Sequence, residues 1–300
     1  MYVILGAAGN VGTAAAAALR RAGRDVRAAV RHEKQRGALD EIGCETVVVD
    51  LFDAESVARA IRGAQAVQLL CPLPHHHADP AAAMRSMIDA CVTALRADPP
   101  DHVLALSDYG AEHASGTGIT MLFHYLETQL RTVDAQLTFL RSAEHMHNWA
   151  RVLPMALARG VLPSLHHPLD KRFPTVAAQD VGIVAARLLL DADVRVSRVS
   201  PRVVSVESQQ RVSVLDVART ISEVSGHAVT AHEVPRDDWN AVLQRSGLGE
   251  LHARLIADLY DAHNAGRIDV EADVGERRFG TTTLSQVFAA LVPQIDAAVR

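Results

Sequence analysis

Along the first 140 residues, short apolar runs alternate with stretches whose apolar positions recur every three to four residues. Tyr2-Val3-Ile4-Leu5 is a continuous apolar run and reads as a buried strand. Val11 to Ala22, rich in Ala and Arg, has helical character and closes at Gly23. Asp25 to Val30 reads as a second strand, Glu33 to Ile42 as a short helix stopped by Gly43, and Glu45 to Val49 as a β-branched third strand. Asp53 is placed to cap a helix that runs through Arg62 and ends at Gly63. Ala66 to Leu70, His102 to Leu106 and Gln136 to Leu140 read as strands, with helices Pro80 to Ala97 and Thr120 to Val133 between them. Strands separated by helices of this length predict an α/β fold, a Rossmann-type doubly wound parallel sheet.

After about residue 150 the rhythm loosens. Gly160 to Pro174 reads as a loop, Ala178 to Asp191 as a helix, and Arg202 to Ser205 as a short strand. Val214 to Ser225 is an amphipathic helix ended by Gly226, Ala228 to Val234 is strand-like, and Asp237 to Gly266 is mostly helical. No internal repeat or long flexible linker occurs. The expected division is a sheet domain over residues 1–150 and a smaller α+β region over 151–300, packed on it and partly interleaved.

Composition narrows the class. With 49% hydrophobic and 22% charged residues the chain is that of a soluble globular protein. A formal charge of −5 argues against a general nucleic-acid binder, which needs a basic face. Three scattered cysteines (Cys44, Cys71, Cys91) with no C-x-x-C pair suggest neither a disulfide framework nor a structural zinc, and fit a reducing cytoplasm. No signal peptide is read, and the most apolar run, Val184 to Leu190, is too short for a membrane span. The 15 histidines include His75-His76-His77 but no H-E-x-x-H or comparable ligand set, so no metal site is expected; the triple histidine reads as a loop over the sheet's ligand cleft.

The chemistry begins directly behind the first strand. Gly6-Ala7-Ala8-Gly9-Asn10-Val11-Gly12 places three glycines in a G-x-x-G-x-x-G rhythm between a strand and a helix. The first glycine permits the turn, the second lets a pyrophosphate approach the backbone, and the third lets helix and strand pack closely, with helix N–H groups aimed at the anion. Gly6, Ala8, Gly9, Asn10, Val11 and Gly12 are therefore the expected diphosphate contacts. Past the second strand, where NAD binders carry an acidic residue for the ribose hydroxyls, the chain has Arg31, with Lys34 one turn on. That pair suits a 2′-phosphate, so NADP(H) is expected over NAD(H). Asp50 and Leu51 after the third strand, Cys71 and Pro72 after the fourth, and Ser107 after the fifth should line the same cleft, because ligands bind at the carboxyl ends of such strands.

The usual reductase pair, Tyr and Lys four residues apart, is missing. Four residues after Tyr2, Tyr109, Tyr125 and Tyr260 stand Gly6, His113, Gln129 and Asn264, and the only lysines are Lys34 and Lys171. The remaining candidates to polarise or protonate an acceptor are Ser107, Tyr109 and His124, with Glu127 three residues on and able to orient the imidazole.

These stretches together resemble the NmrA-like branch of the atypical short-chain dehydrogenase/reductases, the isoflavone-reductase-like proteins. The matching segments are GAAGNVG (Gly6–Gly12), VRH (Val30–His32), Asp50 to Val67, LALSDYGA (Leu104–Ala111), HYLETQLR (His124–Arg131) and LTFLRSAEHMHNW (Leu137–Trp149), with looser likeness at Gln179 to Gly182 and Val203 to Trp239. The resemblance implies that the turn from Arg141 to Trp149 floors the nicotinamide and substrate pocket, which makes His145, Met146 and Trp149 substrate candidates. Family enzymes often carry a lysine where Phe123 and His124 stand here. The expected function is NADPH-dependent hydride transfer to a small apolar acceptor such as a quinone, enone, imine or carbonyl. The alternative is a non-catalytic NADP(H)-sensing regulator acting through a protein partner. A small-molecule substrate and a homodimer or protein partner are expected; nucleic acid and membrane are not.

Overall fold

The computed structural model describes residues 1–193, 201–273 and 276–299. Its central sheet contains β1 (Tyr2–Leu5), β2 (Val26–Val30), β3 (Glu45–Val48), β4 (Ala66–Leu69), β5 (His102–Asp108), β6 (Gln136–Ser142), β7 (Arg202–Ser208) and β8 (Glu276–Gly280). The helices that concern the site are α1 (Asn10–Arg21), α2 (Ala54–Ile61), α3 (Pro80–Ala97), α4 (Thr120–Leu130), α5 (Ala178–Asp193), α6 (Val214–Ser225), α7 (Glu250–Asn264) and α8 (Leu284–Val299). The strand order is β8-β7-β6-β5-β4-β1-β2-β3, and every pairing is parallel.

A parallel sheet is covered on both faces, so both alternating sets of its side chains are apolar. Tyr2 and Ile4 face α1 and α5 in a core with Ala15, Leu19, Val181 and Leu188. Val3 and Leu5 face the other way, into a core with Val57 of α2, Ile88 of α3 and Leu122 of α4. On the first face the contact is unusually close at Gly182, where a Cβ would lie 2.3 Å from the Val11 carbonyl oxygen. A third core joins α6 and α8 through Phe173, Val217, Ile221 and Phe288. Strands from both halves of the chain thus build one sheet.

The expected elements of the first half recur with shifts of a few residues. Asp53 does cap α2, its carboxylate accepting the Glu55 N–H at 2.9 Å. The helix read over Glu33 to Ile42 is instead a single 3₁₀ turn, Glu33–Gln35, followed by the short helix Gly37–Glu41. Gln35 turns its amide oxygen back onto the N–H groups of Arg31 and His32, and Gly37 is a poor interior helix residue. Gly160 to Pro174 is not all loop: Val161–Ser164 pairs in parallel with Thr230–Glu233. The last two elements, β8 and α8, have no counterpart in the sequence reading. Glu276-Arg277-Arg278-Phe279 is a largely exposed edge strand guarded by charge, so it shows no apolar alternation. Among the described residues no helix is long and apolar enough to cross a membrane.

Candidate active site

The strand order reverses at β1, which has β2 on one side and β4 on the other. The crevice outside their carboxyl ends is where ligands bind in open sheets of this kind. The glycine turn lies there. Gly6 has φ +87°, in the left-handed region, and Gly12 sits where a Cβ would be 2.3 Å from the Gly6 carbonyl oxygen and 2.7 Å from Ala7 Cα. Gly9 differs: the nearest atom to an added Cβ is 3.7 Å away, and Ala8, Gly9 and Asn10 are exposed. The first turn of α1 has no side-chain cap and no acidic residue. An open, uncapped helix start above a tightly packed turn fits a diphosphate group.

At the end of β2, Arg31 and Lys34 are exposed and form no ion pair among the described residues. Glu33, between them in the chain, lies 2.6 Å from Arg36. At the end of β3, the Asp50 carboxylate accepts the Phe52 N–H at 2.9 Å, and Leu51 is half-buried. After β4 only the backbone of Cys71 can serve the crevice. Its side chain is 1% exposed in the core, and a hydrogen bond with Cys91, then burial, push the thiol well up. Pro72 is exposed and begins a strap that runs from residue 72 to 79. The strap is fastened on both sides: the His77 ring stacks on Phe52 at 5.3 Å, and His75 stacks on His252 of α7 at 5.3 Å.

The ends of β5 and β6 hold a buried polar network. Ser107 Oγ donates to Glu127 Oε1 at 2.7 Å, and Arg141 grips the same carboxylate with two bonds of 2.8 Å. Arg141 also meets Glu112 at 3.1 Å and Glu271. Burial works against the charge on Arg141, but Glu127, Glu271 and Glu112 hold the guanidinium firmly protonated. This overturns the expectation that Glu127 orients His124. A buried guanidinium needs the carboxylate more than an imidazole does, and His124 Nδ1 bonds the Ala111 carbonyl oxygen instead, at 2.9 Å.

Three other candidates move as well. Tyr109 is 2% exposed among Leu106, Ala262 and Ile268, its hydroxyl has no hydrogen-bond partner among the described residues, and burial pushes the phenol upward. It is a core residue, poorly placed to give a proton. Met146 and Trp149 likewise pack into the α6–α8 core. Of the three substrate candidates, His145 stays beside the strand ends, its Nε2 3.3 Å from Ser142 Oγ. Burial and then His147 press its ring down to about 4. Behind it Glu144 pairs with His166 at 2.9 Å; burial works to raise this carboxyl, but His166, His263 and His145 hold it below its ordinary range.

The sequence reading missed Asp108, the last residue of β5. It is paired in register with Ser142 and half-buried. Burial pushes its carboxyl up to about 7, with Glu144 and Glu112 adding to the rise and the Tyr109 backbone N–H opposing it. A carboxylate directly after the buried run His102 to Ser107 was the available signal.

A sequence-family model described as NAD(P)H-binding matches residues 6–192. No curated protein sequence matches the chain. Among solved structures, the triphenylmethane reductase of Citrobacter sp. is similar with a TM-score of 0.79 at 20% identity, over 97% of this chain and 99% of that one. The NADPH-dependent quinone oxidoreductase of Escherichia coli in complex with NADPH gives a TM-score of 0.78 at 20% identity, over 97% and 100%. The NADPH complex of leucoanthocyanidin reductase from Vitis vinifera gives 0.71 at 14% identity, over 97% and 99%.

Proposed function

The chain belongs to the NAD(P)H-binding family and shares the fold of the NmrA-like reductases; from that premise we propose that it is a reductase that uses NADPH in preference to NADH and passes hydride to a small apolar acceptor. The observation that carries the cofactor preference is the pair Arg31 and Lys34 at the end of β2, both without an anionic partner among the described residues, while Glu33 is held by Arg36. A ribose 2′-phosphate would supply the missing partner, and the family position that favours NAD by an acidic side chain is an arginine here. Neighbours named as NADPH-dependent quinone oxidoreductase and triphenylmethane reductase support the choice of acceptor class.

The glycine turn and the α1 start would hold the diphosphate, Arg31 and Lys34 the 2′-phosphate, and Asp50 and Leu51 the adenosine. When bound, the reduced nicotinamide supplies hydride. Ser107 cannot also serve as a free donor, since its single hydroxyl proton is committed to Glu127; it can accept a hydrogen bond and fix an orientation. The strap that follows β4, fastened to Phe52 and to His252, would exclude water from the crevice.

Isothermal titration should give NADPH binding at least tenfold tighter than NADH, about 1.4 kcal/mol. Arg31→Asp should erase that difference. Equal affinities, or an unaffected Arg31→Asp variant, defeat the preference. Loss of NADPH absorbance with a panel of quinones and carbonyls tests the activity, and tight binding without turnover of any acceptor defeats the reductase reading.

A further inference from the structure

We propose that Asp108 is the catalytic acid of this site, the residue that gives the acceptor its proton; the proposal rests on the reductase reading above. The proton-bearing groups at the ends of β5 and β6 are few, and most are committed. Ser107 donates to Glu127. His124 Nδ1 bonds the Ala111 carbonyl, an acceptor-only partner, so that nitrogen carries a hydrogen committed to the backbone. The Tyr109 side chain is buried, its hydroxyl has no hydrogen-bond partner among the described residues, and burial pushes the phenol upward although Arg277 and Arg211 oppose the rise. Lys171, the one lysine outside the Arg31 corner, donates to the carbonyls of His263 and Asn264.

Asp108 is different. Among the described residues no side chain bonds its carboxyl, it is half-buried rather than sealed, and it ends β5 beside Ser142 and His145. The titratable groups facing it are Glu112 from its own turn, Glu144 from the turn after β6 and the phenol of the adjoining Tyr109; the two carboxylates add to the rise that burial causes, and the Tyr109 backbone N–H opposes it. Arg141 does not neutralise it, because Glu127, Glu112 and Glu271 already surround that guanidinium. A carboxyl so placed keeps a proton near neutral pH, as a general acid must.

The step balances simply. As hydride from the reduced nicotinamide reaches the carbonyl carbon of the acceptor, the C–O π pair moves to oxygen. That oxygen takes the proton as the Asp108 O–H bond breaks, leaving a carboxylate that water reprotonates. The acceptor gains one hydride and one proton. A neutral carbonyl or quinone therefore suits this residue.

The test compares wild type with Asp108→Asn, using a quinone and a ketone acceptor across pH 6 to 9. Wild-type kcat should fall with pH above about 7, with the slope of one proton. In Asp108→Asn, kcat should drop roughly 100-fold or more and lose that slope, while the NADPH dissociation constant stays within about twofold. Independently of turnover, the carbon-13 spectrum of labelled aspartate carboxyls should show one resonance titrating near pH 7 that Asp108→Asn removes. Turnover surviving in the variant with the same pH profile, or a carboxyl titrating below pH 5, overturns the proposal alone. A wild type that binds NADPH and reduces nothing overturns it together with the reductase reading.

Discussion

Individual side chains in this protein are set by the company they keep more than by their type. His145 and His263 are ordinary imidazoles by sequence, yet burial leads each down to about 4. Between that value and the ordinary 6.5, the unfolded chain binds protons that the folded chain refuses. Their contribution to stability is therefore complete above 6.5 and lost as pH falls toward 4, on the order of 3 kcal/mol for each residue. Asp108 works in the opposite sense: raised from 3.8 to about 7, it favours the fold in acid and loses that advantage as pH rises across the window. The urea midpoint should accordingly drop from pH 6.5 to 4, and His263→Leu should remove about one proton from the slope. A variant curve parallel to wild type would refute the assignment. None of this was visible in the sequence, which shows fifteen histidines and no sign of which are buried.

Elements were far more legible than sites. The periodicity gave Pro80–Ala97 and Val214–Ser225 to the residue, because a proline start with an Asp cap, or a Ser213–Asp216 capping box with a closing glycine, is written locally. It failed at β8 because exposed edge strands carry no pattern, and at Glu127 because a helix face does not disclose an arginine on a strand fourteen residues later. The glycine turn separates the two kinds of information in one motif. Gly12 is demanded by the fold and Gly9 by whatever binds it. Gly12→Ala should cost about 2 kcal/mol in thermal unfolding, since backbone must move to admit the methyl. Gly9→Ala should unfold within about 0.5 kcal/mol of wild type yet bind NADPH at least tenfold more weakly. Equal stability losses at the two positions would contradict that division.

At the scale of the whole molecule, the second half completes the first. β7 pairs with β6, and α5 covers the same apolar stripe of α1 that holds Ala15 and Leu19. Residues 1–150 alone would bare both that stripe and the edge of β6. They should show no cooperative thermal transition, and a sharp one matching the full chain would establish an independent domain. The closeness of Gly182 to Val11 also has a temporal consequence. On the ribosome the nucleotide turn emerges first, but the helix that backs it arrives some 170 residues later, which at about 5–20 residues per second is a wait on the order of ten seconds or more. The nascent chain must spend that interval with its most functional segment unsupported, so maturation of the binding site is a late event even though its residues are the earliest made.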